Sequence, residues 1–179
     1  MPIEIEKKYR LTGEQRDAII ASLAEYSAEY VGEDAEENII YGGAILSEKN
    51  AILRVRIIGE RALLTFKRRR TGTGDIKRQI EEETEVADPQ ATQRIVKELG
   101  FSPILVYEKR RLTWQFRSVE IVIDELPFGL FMEIEGSITG IKEAELLLDL
   151  EDLETEHKTY PTLTAELGAK NGDVIEARF

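Results

Sequence analysis

The chain begins with alternation. From Ile3 to Arg10 apolar and ionic side chains trade places, and Glu4, Glu6 and Lys8 fall on the face opposite Ile3 and Ile5. This predicts a short strand. Thr12 follows as an N-cap, with Gln15 three residues on to complete a capping box. A helix is predicted from there to about Tyr26, with Ile19, Ile20 and Leu23 on its apolar stripe. Residues 27–38 read as an acidic, irregular stretch. From Ile39 the period becomes 2, and strands are predicted at 39–45, 51–58, 61–69, 76–86, 104–110, 111–117, 118–124 and 131–138. Turn chemistry separates them at Gly42-Gly43, Gly59-Glu60, Gly72-Thr73-Gly74 and Pro127-Phe128-Gly129. Asp88-Pro89 opens a second helix that Gly100 stops, a third spans about 141–150, and a fourth runs over 160–167 to Gly168. The fold class is therefore α+β, an antiparallel sheet with flanking α-helices. Closure into a barrel would remove the exposed edges of such a sheet. No linker divides the chain, so residues 1–179 read as one domain.

Sorting the strands by face changes the picture. Arg54 and Arg56 lie opposite Leu53, Val55 and Ile57; Lys67 lies opposite Leu64 and Phe66. Glu81, Glu83 and Glu85 share a face, as do Lys109 and Arg111. Asp124 points away from Ile121 and Ile123, and Glu133 and Glu135 away from Met132 and Ile134. An ordinary solvated sheet face would mix such charges with Ser, Thr, Asn and Gln. Amphipathic helices, moreover, need an apolar surface to cover. If they cover a barrel from outside, the ionic face points inward, where each ion must be paired, hydrated or met by a ligand. Inward bases would hold a polyanion, Arg as a planar fork and Lys as a point charge. Inward carboxylates would hold its divalent metals, since Mg²⁺ and Mn²⁺ prefer oxygen ligands.

Composition then narrows the class. The 179 residues carry 24 Lys and Arg against 35 Asp and Glu, a net charge of −11. That balance argues against a nucleic-acid duplex or an anionic membrane as partner. It does not exclude a small, metal-chelated polyanion, because the bases concentrate on the inward face. The remaining acids are assigned to the stretch 29–37 and the helix region 142–156, away from that face. Cysteine is absent, which removes disulfides and thiol chemistry and fits a cytoplasmic protein. No apolar run approaches a membrane span, and no signal peptide is evident. The single histidine, His157, sits in a polar stretch and reads as solvated; neither a P-loop nor a GxGxxG turn occurs.

These residues also carry a resemblance. Glu4-x-Glu6-x-Lys8 resembles the ExExK signature of the CYTH superfamily, the triphosphate tunnel metalloenzymes. Leu53-Arg54-Val55-Arg56, Thr65-Phe66-Lys67, Glu81-x-Glu83, Lys109-Arg110-Arg111, Asp124 and Phe131-Met132-Glu133-Ile134-Glu135 follow in the family's order, and Lys158-x-Tyr160 is similar to its C-terminal helix motif. The resemblance implies a closed eight-stranded antiparallel β-barrel whose tunnel binds a small-molecule triphosphate. It implies triphosphate contacts from Lys8, Arg54, Arg56, Lys67, Lys109 and Arg111. One or two Mg²⁺ or Mn²⁺ ions would be ligated by Glu4, Glu6, Asp124, Glu133 and Glu135. Catalytic roles fall to Glu4, Glu6, Lys8, Glu81 and Glu83, the last two holding a second metal or positioning water. The chain departs from the family pattern at Gln79, where many members carry Arg, and at Gly42-Gly43, where many carry an acidic residue.

Two activities are consistent with this reading: hydrolysis of the terminal phosphoanhydride of tripolyphosphate or a small organic triphosphate, and, as the alternative, class IV adenylate cyclase chemistry. A non-catalytic polyphosphate- or nucleotide-binding module is the third reading. Trp114 and Phe116 are expected to pack on the barrel exterior, and Arg68-Arg69-Arg70 to form a solvated loop end. The leucines of the third helix exceed what covering the barrel needs and leave room for a homodimer contact.

Overall fold

The computed structural model describes residues 3–69 and 77–179, excluding the side chains of Ile3, Arg69, Lys77 and Arg78. The turn expected at Gly72-Thr73-Gly74, and Arg70 of the arginine run, lie outside the described residues. In chain order the elements are β1 (Ile3–Leu11), α1 (Gly13–Glu25), β2 (Glu29–Gly42), α2 (Ala44–Glu48), β3 (Ala51–Ile58), β4 (Arg61–Arg69) and β5 (Lys77–Val86). Then come α3 (Pro89–Glu98), β6 (Ser102–Phe116), β7 (Val119–Leu126), β8 (Gly129–Glu135), α4 (Ile138–Leu147), α5 (Tyr160–Leu167), β9 (Ala169–Asn171) and β10 (Val174–Ala177).

The strands run β2-β3-β4-β5-β1-β8-β7-β6, and a β2–β6 pairing closes the ring. The eight-stranded antiparallel barrel expected from the sequence is therefore present. β9 and β10 extend the sheet beyond it, with β10 joining the first half of β6 in parallel at Leu105–Tyr107.

Four sequence expectations need correction. The stretch read as irregular, 27–38, is largely strand: β2 starts at Glu29 and pairs with β6 along its whole length. Acidic side chains masked its period, because the outward positions of β2 are as polar as the inward ones. The strand expected over 39–45 ends at Gly42, where a short helix, α2, begins. A Cβ on Gly42 would come within 2.7 Å of the Ile104 side chain and one on Gly43 within 2.7 Å of Phe101, so close packing requires glycine at both. The strands expected at 104–110 and 111–117 form one, β6, since no turn residue separates Arg110 from Arg111. β9 and β10 were not predicted at all; each is too short to show a period.

Three apolar clusters place the helices. The largest joins Ile19 and Leu23 of α1 and Ile141 and Ala144 of α4 to the outward side chains of β1, β6, β7 and β8, among them Tyr9, Trp114, Phe116, Ile121 and Met132. Trp114 and Phe116 thus pack outside the barrel, as expected. Glu145 ties α4 down: Lys7 Nζ and Tyr9 Oη both donate to its Oε1 at 2.5 Å. Val96 of α3 covers the outward face around Ile39, Tyr41, Val55 and Val106. The remaining cluster lies on inward positions: Tyr160 and Leu163 of α5 pack on Ile40, Leu105, Tyr107, Leu126 and Phe131 and fill one end of the lumen. Local signals set the helix starts. Thr12 and Gln15 form the capping box on α1, and Asp88, Ser137 and Thr159 cap α3, α4 and α5.

The connection into α5 adds one more piece of wall. β5 pairs with β1 only from Ile3 to Glu6. Beyond that point residues 154–156 take over that edge: Arg10 N–H donates to Glu154 O at 2.9 Å, and Glu156 N–H to Lys8 O at 2.8 Å. Glu156, itself buried, accepts from Arg10 Nε at 2.7 Å.

The helix contacts give a testable contrast. Leu23 is fully buried under α1, while Ile95 of α3 is 60 % exposed. Leu23→Ala should lower the unfolding free energy by about 3 kcal/mol, and Ile95→Ala should change it by less than about 0.5 kcal/mol. Urea denaturation followed by circular dichroism measures both.

Candidate functional site

The lumen is a ladder of charged rungs set by strand register. Lys8 stands opposite Glu133, and Glu6 opposite Glu135. Arg54 pairs with Thr65, which pairs in turn with Glu83, and Lys67 pairs with Glu81. Arg111 stands opposite Asp124, and Lys109 opposite Glu36. Because a strand repeats every second residue, each partner of an inward ion is also inward. The cavity so formed encloses about 670 Å³ including its open mouth. Lys8, Arg54, Arg56, Lys67, Lys109, Arg111, Glu6, Glu133 and Glu135 line it. Glu4, Glu81, Glu83 and Asp124 join through ion pairs to those bases.

The contacts fall into two groups. Around Arg111, Nε donates to Asp124 Oδ1 at 2.7 Å, and Nη2 to Asp124 Oδ2 at 2.6 Å and to Glu133 Oε2 at 2.8 Å. Lys8 Nζ lies 3.1 Å from Glu133 Oε1 and 3.7 Å from the centre of the Tyr160 ring. Tyr160 Oη donates to Asp124 Oδ2 at 2.7 Å. On the opposite wall Arg54 Nη2 donates to Thr65 Oγ1 at 3.3 Å and lies 3.5 Å from Glu83 Oε2, and Thr65 donates to Glu83 at 2.7 Å. Lys67 bridges Glu4, at 3.2 Å, and Glu81. Gln79 reaches Glu4 Oε2 at 3.5 Å from the position where the family often carries Arg. Arg54 Nε is buried without a hydrogen-bond partner among the described residues, a donor left for an anion.

Burial and neighbours shift the acid–base properties. Burial works against the charge on Lys8, but Glu133 and Glu6 outweigh it and hold its pKa above the usual lysine value. Burial, reinforced by Arg111, lowers Lys109 to about 8 despite the pull of Asp124 and Glu36. Burial and a hydrogen bond shared with Glu4 raise Glu81 against the pull of Lys67. Burial also raises Glu135, helped by Glu120, Glu6 and Glu81 and opposed by Lys67.

Each expected site residue thus lies in one connected lumen network. The expected metal ligands are spread along it: Asp124 and Glu133 are held by Arg111, Glu4 by Lys67, and Glu6 faces Glu135 across the β1–β8 pair. Among the described residues no three carboxylates are preassembled into a metal cage. The donors nonetheless suit a hard cation. They are all carboxylate oxygens, and the Glu6–Glu135 and Glu4–Glu81 juxtapositions set acid beside acid, which a divalent ion would relieve.

One lumen carboxylate was missed. Glu36, assigned from sequence to an acidic stretch away from the tunnel, is buried inside it. Its Oε2 lies 3.2 Å from Lys109 Nζ and 3.3 Å from Arg56 Nε, and Asn38 donates to it at 3.2 Å. The signal was available: Glu36, Asn38 and Ile40 continue the period-2 face backward from the predicted strand. Tyr107, another lumen residue, shares the inward face of Lys109 and Arg111.

Burial alone would raise the Glu36 carboxyl, but Lys109, Arg56 and Arg111 pull it down to about 2. A carboxylate depressed in the fold stabilises it above its unfolded value and loses that contribution as pH falls through the folded one. Wild type should therefore lose ~3 kcal/mol through this group between pH 4.5 and about 2, and Glu36→Gln should lack that part of the acid dependence. Urea unfolding at a series of acidic pH values tests this.

A CYTH domain model matches residues 2–168. A Methanocaldococcus jannaschii protein provisionally described as an adenylate cyclase is 25% identical over 150 residues, 82% of this chain and 84% of that protein. A solved structure from Pyrococcus horikoshii aligns with a TM-score of 0.77 at 25% identity, covering 89% of this chain and 98% of that one. A Hippeastrum protein, provisionally an adenylyl cyclase and described as having a dominant triphosphatase activity, aligns with a TM-score of 0.71 at 18% identity, covering 93% of this chain and 96% of that one. The family match spans nearly the whole barrel with its ladder of inward charges, and this chain belongs to the CYTH domain family.

Proposed function

We propose that this protein is a metal-dependent triphosphatase that removes the terminal phosphate of inorganic tripolyphosphate or a small organic triphosphate. CYTH proteins are enzymes of the triphosphatase and adenylate cyclase kind, and their tunnel enzymes generally depend on divalent metals. One observation carries the reading: the six inward bases converge on one cavity, and each is already matched by a carboxylate. Such a lumen is poised for ion exchange, with phosphates taking over the bases as a metal takes over the carboxylates.

Lys8, Arg54, Arg56, Lys67, Lys109 and Arg111 would hold the phosphate chain, with Arg54 Nε contributing its spare donor. Glu4, Glu6, Asp124, Glu133 and Glu135 would hold Mg²⁺ or Mn²⁺. The bound metal would supply Lewis-acid polarisation and charge neutralisation on the phosphoryl oxygens. Glu81, its basicity raised by burial, would orient a water and accept its proton, with Glu83 and Thr65 holding the adjoining wall. The water oxygen bonds to the terminal phosphorus as the bridging P–O bond breaks, and the rest of the chain leaves with the bond's electron pair.

A second reading, cyclisation of ATP to cyclic AMP and pyrophosphate, draws support from an apolar hollow beside the lumen. Tyr41, Leu46, Ile104 and Ala165 line it, and it shares Ile40, Ile52, Thr159 and Pro161 with the tunnel. It offers a seat for a nucleobase.

Incubation with tripolyphosphate, ATP and thiamine triphosphate, each with Mg²⁺ or Mn²⁺, separates the readings. Orthophosphate release is expected; cyclic AMP with pyrophosphate and no orthophosphate would install the second reading instead. Glu81→Gln should lower kcat by about a hundredfold or more with the circular dichroism spectrum unchanged. Glu85→Gln, farther along the same strand and exposed, should leave kcat within about twofold of wild type.

A further inference from the structure

Glu36 stands apart from the other lumen carboxylates. Asp124, Glu133 and Glu4 belong to the proposed metal set, and Glu81 to the water-positioning wall. Each has a role to take up when metal and substrate enter. Glu36 has no such role. Its neighbours are Lys109 at 3.2 Å, Arg56 at 3.3 Å, Arg111 at 4.0 Å and the amide of Asn38 at 3.2 Å. Three cations and an amide donor around one oxyanion are what a phosphate group would find there. The side chain is 1% exposed and its charge is secured by those neighbours, so neither solvent nor protonation draws it away at neutral pH.

Its position along the barrel adds the second observation. The main cavity is lined by Arg56, Lys109 and Arg111 but stops short of Glu36. Seen from the cavity, Glu36 therefore stands behind Arg56 and Lys109, at the end of the cradle of bases.

We propose that Glu36 is the chain-length stop of the tunnel: its carboxylate occupies the anion site of Arg56 and Lys109 and so limits how many phosphates the lumen accepts. This rests on the triphosphate reading above. Lys8, Arg54, Lys67, Arg111 and the cavity-facing sides of Arg56 and Lys109 remain for the triphosphate, while the far end of the cradle holds a resident anion. A longer phosphate chain meets a buried like charge that has no other partner to move to. Replacing that charge should extend the cradle by about one phosphate.

The test is calorimetric titration of wild type, Glu36→Gln and Glu36→Asp with imido-linked, hydrolysis-resistant analogues of pyrophosphate, tripolyphosphate and tetrapolyphosphate in Mg²⁺. In Glu36→Gln the ratio of tetrapolyphosphate to pyrophosphate affinity should rise by about tenfold, the effect of one added charge-assisted contact. Glu36→Asp keeps the charge but draws the carboxylate back by one methylene, so it guards against a loss of fold in the neutral variant. It should shift the ratio in the same direction by a smaller factor. Thermal melting monitored by circular dichroism establishes that each variant is folded. An unchanged ratio in a folded variant overturns the inference and leaves the triphosphate reading intact. Failure of wild type to bind any of the three analogues overturns both.

Discussion

Everything in this barrel depends on the pairing of charges that have no bulk water to face. Lys8, Lys109, Asp124 and Glu36 are buried, and their neighbours Arg54 and Arg111 are nearly so. A single unpaired ion in such a place costs several kcal/mol. The strand register meets this demand by placing opposite charges on facing rungs: Lys8 against Glu133, Arg111 against Asp124, Lys109 against Glu36, Lys67 against Glu81. The outside follows from the same constraint. With the ionic side chains turned in, the apolar ones turn out, and α1, α3 and α4 exist in part to cover them.

The net charge of −11 is then no obstacle to a polyanion site. What matters locally is whether each base can exchange its carboxylate for a phosphate at small net cost. Arg111 makes bidentate contact with Asp124 at 2.7 and 2.6 Å, a geometry that a phosphate reproduces. Tyr160 ties the α5 end into this exchange. Its hydroxyl holds Asp124 and its ring lies over Lys8, so the helix that fills the lumen's end also touches an acid and a base of the site.

Most of the barrel and its lumen could be read from one-dimensional alternation, because a strand's period of 2 converts spacing directly into facing. Leu53-Arg54-Val55-Arg56 needed no tertiary information to be split into outward and inward halves. Sequence reading failed where both faces were polar. In β2 the outward Glu33, Ala35 and Glu37 look no more apolar than the inward Asp34, Glu36 and Asn38, so the period vanished and Glu36 with it. It also failed where pairing is decided far away in sequence. Nothing near Arg110 reveals that β6 runs unbroken through it, since the continuity comes from β2 lying alongside throughout. The tiny β9 and β10 depend wholly on the first half of β6, which β7 leaves unpaired.

The seam between β2 and β6 has a kinetic side. It joins segments separated by three strands and two helices, so its loop-closure entropy must be met before the ring shuts. Glu36 and Lys109 sit on opposite sides of that seam, directly across from each other. In an open barrel they would be hydrated ions on separate edges. Their desolvation and their pairing therefore belong to the same late event, and an intermediate stalled before it would expose two long unpaired strand edges. For this fold, the step that completes the cradle is also the step that removes the molecule's main hazard of edge-to-edge association.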